Sequence, residues 1–134
     1  MVKEIILASK SGVRKKILEE NNIQFRVEPS NVDEDSVKES LLKEKATPTI
    51  ISKNLAELKA NKISQKFTEE IVLGADSVID LEGEIISKPN DRKEALEILK
   101  RMNGKTHQLI SSVCISRGGS VSYTHLTLPT KRIV

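Results

Sequence analysis

Aromatic residues make up 2% of this 134-residue chain: Phe25, Phe67 and Tyr123, with no Trp. Single-strand nucleic-acid binders stack bases on several aromatic rings, so this scarcity argues against RNA or DNA as partner. A single cysteine, Cys114, excludes an internal disulfide framework and a Cys-based zinc site. No apolar run approaches the roughly 20 residues that span a bilayer, so no membrane role is expected. No charged-then-greasy leader opens the sequence, which excludes a signal peptide and makes the cytoplasm the expected compartment. Charge of one sign is also scarce, with 22 Lys and Arg against 19 Asp and Glu, a net charge of +3. Such a mild basic excess suits a small phosphate-rich partner better than a polyanion.

Hydrophobic residues make up 37% of the chain. Leu, Ile, Val and Phe alone come to about 30%, above the roughly 20% that signals disorder, so one modest core is within reach. The patterning predicts a buried strand over residues 3–8 and a small-residue loop at 9–12. A helix over 13–21 should face inward through Val13, Ile17 and Leu18. A strand over 24–27 and an acidic loop over 32–35 follow, then helices over 36–45 and 54–64 around a break at Pro48. A second buried strand over 71–75 runs into Asp76, and Gly83 centres a hairpin. Asn90 or Asp91 caps a helix to Met102, a long strand covers 106–116, and Gly118-Gly119 is a turn. Strands alternate with helices, so the class is α/β.

Four places could carry chemistry. At Ser9-Lys10-Ser11-Gly12 a buried strand gives way to a helix start. Free backbone N–H groups there attract anions, Ser9 and Ser11 add hydroxyls, and Arg14 and Lys15 add positive charge. The Gly-Lys-Ser/Thr signature of a Walker loop is absent. At Gly74-Ala75-Asp76-Ser77, Gly74 permits a close backbone approach, and Asp76 either holds a cation, activates a water or caps a local turn. Lys88, stiffened by Pro89, either grips a phosphate or is an ordinary exposed lysine. Asp33, Glu34 and Asp35 either help bind Mg²⁺ or form a solvated loop. Lys59 borders the apolar face of its helix, a placement that snorkelling explains. His107 and Cys114 read as packing residues.

Taken together and in order, these pieces resemble the Maf family of nucleoside triphosphate pyrophosphatases. The resemblance rests on Leu7-Ala8-Ser9-Lys10-Ser11-Gly12-Val13-Arg14, Val32-Asp33-Glu34, Leu55-Ala56-Glu57-Leu58-Lys59-Ala60, Leu73-Gly74-Ala75-Asp76-Ser77-Val78, Gly83, Lys88-Pro89, Ala95, Leu99 and Gly104-Lys105-Thr106-His107. It covers about residues 3–119. It implies a mixed twisted sheet with flanking helices and two lobes around a nucleotide cleft. It also implies hydrolysis of a nucleoside triphosphate to monophosphate and pyrophosphate with a divalent cation, Mg²⁺ or Mn²⁺. By motif matching, Ser9, Ser11 and Arg14 would hold phosphate oxygens. Glu34 and Asp76 would serve the metal and the attacking water, with Asp76 as general base. Lys59 and Lys88 would neutralise the triphosphate. Family members often dimerise, so a homodimer is expected. The family name also carries an association with septum formation, which keeps a non-catalytic nucleotide-binding regulator as the alternative. A small basic RNA-binding domain is a third reading, and the scarcity of aromatics counts against it.

Three departures bear on these expectations. Gly12-Val13 stands where the family usually has Pro-Arg, and Ser77 stands where members carry Thr or Gln. From about Ser122 the text matches no family motif, and the family's Lys-Ala-Gly-like segment and closing Gly-Leu-Pro-like motif have no counterpart. Residues 1–121 are therefore read as the N-terminal portion of the family domain, incomplete at its C-terminus, and 122–134 as a non-native tail. Losing sheet partners would leave strand edges exposed, so poor stability and weak activity are expected.

Overall fold

The computed structural model of the chain describes residues 4–86, 89–126 and 130–133. The Ile-rich opening forms β1 (Ile5–Leu7), whose two last residues are buried. α1 (Gly12–Glu20) carries the chain back to β2 (Phe25–Val27), which pairs in parallel with β1. Next come α2 (Glu34–Lys43) and α3 (Pro48–Ser64). β3 (Val72–Leu81) turns at Gly83, which has φ +91°, into β4 (Glu84–Ile86). α4 (Arg92–Met102), β5 (Thr106–Arg117), β6 (Ser120–Leu126) and β7 (Thr130–Ile133) complete the chain.

The seven strands make one mixed sheet with the order β2-β1-β3-β5-β6. β1 pairs in parallel with the start of β3, at Val72 and Leu73. β5 runs antiparallel along the whole of β3, placing Ser112 opposite Asp76. β4 pairs with Ile79, Asp80 and Leu81. Since β5 occupies one edge of β3, β1 and β4 share the other. Among the described residues, 74–78 of β3 have no strand partner on that edge. β6 and β7 pair with the far edge of β5. No helix among the described residues is long and apolar enough to cross a membrane.

α3 is the helix that organises the core. Ile51, Ser52, Leu55, Ala56, Lys59, Ala60, Ile63 and Ser64 are buried at helical spacing and lie against the sheet. The main cluster joins Ile6, Ala8, Ala56, Ala60, Ile63, Val72 and Cys114, with Phe67 at its margin. A Cβ on Gly74 would meet the Ala56 carbonyl oxygen at 2.6 Å and the Ala60 backbone nitrogen at 2.8 Å. The approach anticipated at Gly74 is therefore made by α3. On the other face of β3, Ile79 and Leu81 join Ile86, Ile98 and Met102.

Several local readings are corrected. The supposed acidic loop is a helix start: Asp33 is the N-cap, its carboxylate accepting from the Ser36 N–H, and Glu34 and Asp35 fill the first turn. Acids there are favoured by the helix dipole. Pro48 begins α3 rather than breaking a helix, with Thr47 as the cap. Proline suits that first position because its missing N–H would have had no helical partner. On α1 only Leu18 is buried, while Val13 is 71% exposed and Ile17 52%. Asp76 does not end a strand; it is the fifth of ten residues in β3.

Candidate functional site

The loop leaving β1 is built around two serine hydroxyls. Ser9, nearly buried, accepts from the Ser11 N–H at 3.2 Å and from the Arg14 guanidinium at 3.1 Å. Ser11 caps α1 by accepting from the Arg14 N–H at 3.3 Å. These bonds fold the Arg14 side chain back over the loop. The first-turn N–H groups of α1 have no helical carbonyl to bond, so backbone donors, hydroxyls and one guanidinium converge. That combination attracts phosphate oxygens. The loop lines a cleft of about 580 Å³, whose other walls are Ser30, Asn31, Val32, Glu34 and Lys59.

Lys59 holds the back of this cleft. It lies two turns after Ser52 on the buried stripe of α3 and is 8% exposed. Its ammonium bonds the Glu34 carboxylate from the first turn of α2 and lies 3.1 Å from Asp76 Oδ1. The ammonium is thus enclosed in an ion-pair cluster, which a snorkelling lysine would not be. Asp76 is 5% exposed and sits behind Lys59, beneath the cleft wall. Its side chain makes an ion pair, which excludes the turn-cap alternative. Burial raises its carboxyl above the ordinary value of 3.8, and the Glu34 carboxylate adds to the rise while Lys59 opposes it. The buried Oδ2 atom has no hydrogen-bond partner.

Behind Asp76 lies a contact that the sequence reading missed. The hydroxyl of Ser52 lies 3.1 Å from the Asp76 carbonyl oxygen and 3.0 Å from the Ser112 hydroxyl. Two serines on otherwise apolar stripes carry no motif, so only their burial at helical and strand spacing could have singled them out. The structure brings Ser9, Ser11, Arg14, Glu34 and Lys59 to one cleft, while Asp76 does not line it and connects to it through Lys59. Lys88 lies outside the described residues.

No group of three or more His, Cys, Asp or Glu gathers among the described residues. Two carboxylates nevertheless converge on Lys59, and one buried oxygen, Asp76 Oδ2, is unpartnered. That donor set fits Mg²⁺ or Mn²⁺ of the kind held by one or two carboxylates plus substrate phosphates, and it is too small for an all-protein cage.

The sequence pattern of the family described as Maf-like protein matches residues 4–132. A nucleoside triphosphate pyrophosphatase of Pelagibacter ubique (strain HTCC1062) is 94% identical over 125 residues, covering 93% of this chain and 64% of that protein. A dTTP/UTP pyrophosphatase of Pyrococcus furiosus is 38% identical over 120 residues, covering 90% of this chain and 60% of that one. The chain thus spans about three-fifths of the length of these curated relatives. A crystal structure of a nucleoside-triphosphatase / dITP/XTP pyrophosphatase from Mycobacterium abscessus superimposes with a TM-score of 0.62 at 11% identity, covering 98% of this chain and 74% of that one. That likeness shows a shared fold. With the family pattern matched along nearly the whole chain, the ordered motifs and the mixed sheet agree: the chain belongs to the Maf-like protein family.

Proposed function

We propose that this chain carries the hydrolytic site of a nucleoside triphosphate pyrophosphatase, which releases pyrophosphate and leaves the nucleoside monophosphate. The observation that carries the reading is that Glu34 and Lys59 share one cleft with the Ser9–Ser11–Arg14 loop, with Asp76 paired to Lys59 behind its wall. A binder of phosphate alone has use for the loop, but it has no use for a buried carboxylate with an unpartnered oxygen behind it.

In this reading the loop hydroxyls, the α1 N–H groups and Arg14 hold the phosphate chain. Lys59 turns from its carboxylate partners toward the phosphate charge, and Lys88 contributes a second cation. Asp76 accepts the proton of the attacking water; burial has raised its carboxyl toward the range useful to a base. The water oxygen bonds to the α-phosphorus as the bond from that phosphorus to the bridging oxygen breaks, and pyrophosphate departs. Positioning and charge neutralisation do most of the work in such transfers. Bound at Asp76 and Glu34, Mg²⁺ or Mn²⁺ would neutralise phosphate charge and acidify a water.

The test is pyrophosphate release from a panel of ordinary and modified nucleoside triphosphates with Mg²⁺ or Mn²⁺. Release by the wild type that drops at least a hundredfold in Asp76→Ala is expected, by analogy with about 10²–10⁴ for loss of a general base. Tight nucleotide binding with no release from any substrate would put a non-catalytic binder in its place.

A further inference from the structure

Asp76 has a second set of partners that the reaction above does not use. Ser52 and Ser112 are both fully buried, and they come from different elements, α3 and β5. Ser112 stands directly opposite Asp76 in the β3–β5 ladder. A hydroxyl has one proton. The Ser52 hydroxyl is placed as donor toward both the Asp76 carbonyl and the Ser112 hydroxyl, so its single proton is shared between them and ties the two together. α3 therefore holds this stretch of β3 at three points. Ser52 takes the main chain of Asp76, Ala56 and Ala60 press on Gly74, and Lys59 takes the Asp76 carboxylate.

We propose that the Ser52–Ser112 hydroxyl pair is a positioning device for Asp76, fixing the β3 main chain there so that the carboxylate presents one oxygen to Lys59 and keeps the other unpaired. This rests on the reading of Asp76 as the base. The pair touches neither the cleft nor the carboxylate, so it acts only through the backbone. Without Ser52 the local main chain gains freedom, and small misplacements at a reacting group lower turnover more than binding.

Ser64 supplies the control. It is equally buried on the same face of α3, and its hydroxyl accepts from the Gly119 N–H at 2.9 Å, far along the sheet from Asp76. The experiment compares Ser52→Ala, Ser112→Ala, their double variant and Ser64→Ala in the full chain. It uses the triphosphate that the wild type hydrolyses fastest. Ser52→Ala and Ser112→Ala should each lower kcat about tenfold with KM held within about twofold. The double variant should be no worse than Ser52→Ala, because the hydroxyls act as one chain. Ser64→Ala should lose comparable thermal stability and keep its kcat. Should Ser52→Ala fail to fold, Ser112→Ala carries the test alone. Equal loss of kcat in Ser64→Ala, or wild-type kcat in Ser112→Ala, overturns the proposal. Amide hydrogen exchange separates the two readings. If the wild type releases no pyrophosphate, the hydrolase reading fails, and faster exchange at residues 75–77 in Ser112→Ala than in Ser64→Ala still supports the positioning role. Equal exchange there defeats it.

Discussion

Asp76 is a carboxyl that the fold would rather keep protonated. Burial raises its pKa from 3.8, with Glu34 adding to the rise and Lys59 opposing it. Stability from such a group is full below the unfolded value and is lost as pH climbs through the folded one. Asp76→Asn removes that loss. Urea melts should therefore show the variant gaining on the wild type as pH rises above the ordinary carboxyl value of 3.8. A flat or falling difference would contradict the assigned burial. At this scale part of the geometry was legible. Ser9 and Arg14 meet in one loop, as small polar residues after an Ile-rich run suggested, whereas Asp76 lies in mid-strand rather than at a strand end. Lys59 was harder. Its position beside Leu55 and Ile63 is the same for a snorkelling chain and for a buried ion pair, and the difference lies in Glu34, which is distant in sequence. Ser52 and Ser112 were illegible because their meaning depends on a register between α3, β3 and β5.

Among the elements, α3 and β3 determine the site together, and Gly74 sets their separation. An alanine there would put its Cβ within 2.6 Å of the Ala56 carbonyl, which is backbone and cannot swing aside. Gly74→Ala should destabilise the chain by about 1–3 kcal/mol in denaturant titrations, the usual range for overpacking. It should also lower pyrophosphate release, since the helix that carries Lys59 must move. Unchanged stability would show that α3 has slack against the sheet. The helices themselves were read with errors at their starts. Asp33-Glu34-Asp35 looked like a loop because acidic runs are usually solvated, yet the same acids suit a first turn. Pro48 looked like a break because proline stops a helix from within, and here it opens one. The long strand of β5 and the hairpin at Gly83 were plain from alternation and turn chemistry.

For the whole molecule, the cleft is the place where parts distant in sequence meet: the β1–α1 loop, the segment before α2, and α3. A nonhydrolysable triphosphate with Mg²⁺ should bind the folded chain and not the unfolded one. At a hundred times its Kd it should add about 2.7 kcal/mol, or roughly 10 °C in Tm. Thermal melts with analogue alone, metal alone and both would measure this. The combined shift should exceed the sum of the single shifts and shrink in Asp76→Asn. A shift that ignores the metal would remove the divalent ion from the reading. The class of fold was legible from alternating strands and helices. The sheet order was not, since α1, β2, α2 and α3 lie between β1 and β3 in the chain.

The three-point hold of α3 on β3 also limits how such a chain can change in length. Deleting one residue between Ser52 and Lys59 would turn one end of the helix against the other by about 100° and shift it by about 1.5 Å. Deleting one residue between Gly74 and Asp76 would send the carboxylate to the opposite face of the sheet. Neither error can be absorbed locally, whereas the turn at Glu82-Gly83 can take extra residues. Working relatives should therefore vary freely in loop length and yet keep these two spacings, seven residues on the helix and two on the strand, as an invariant pair.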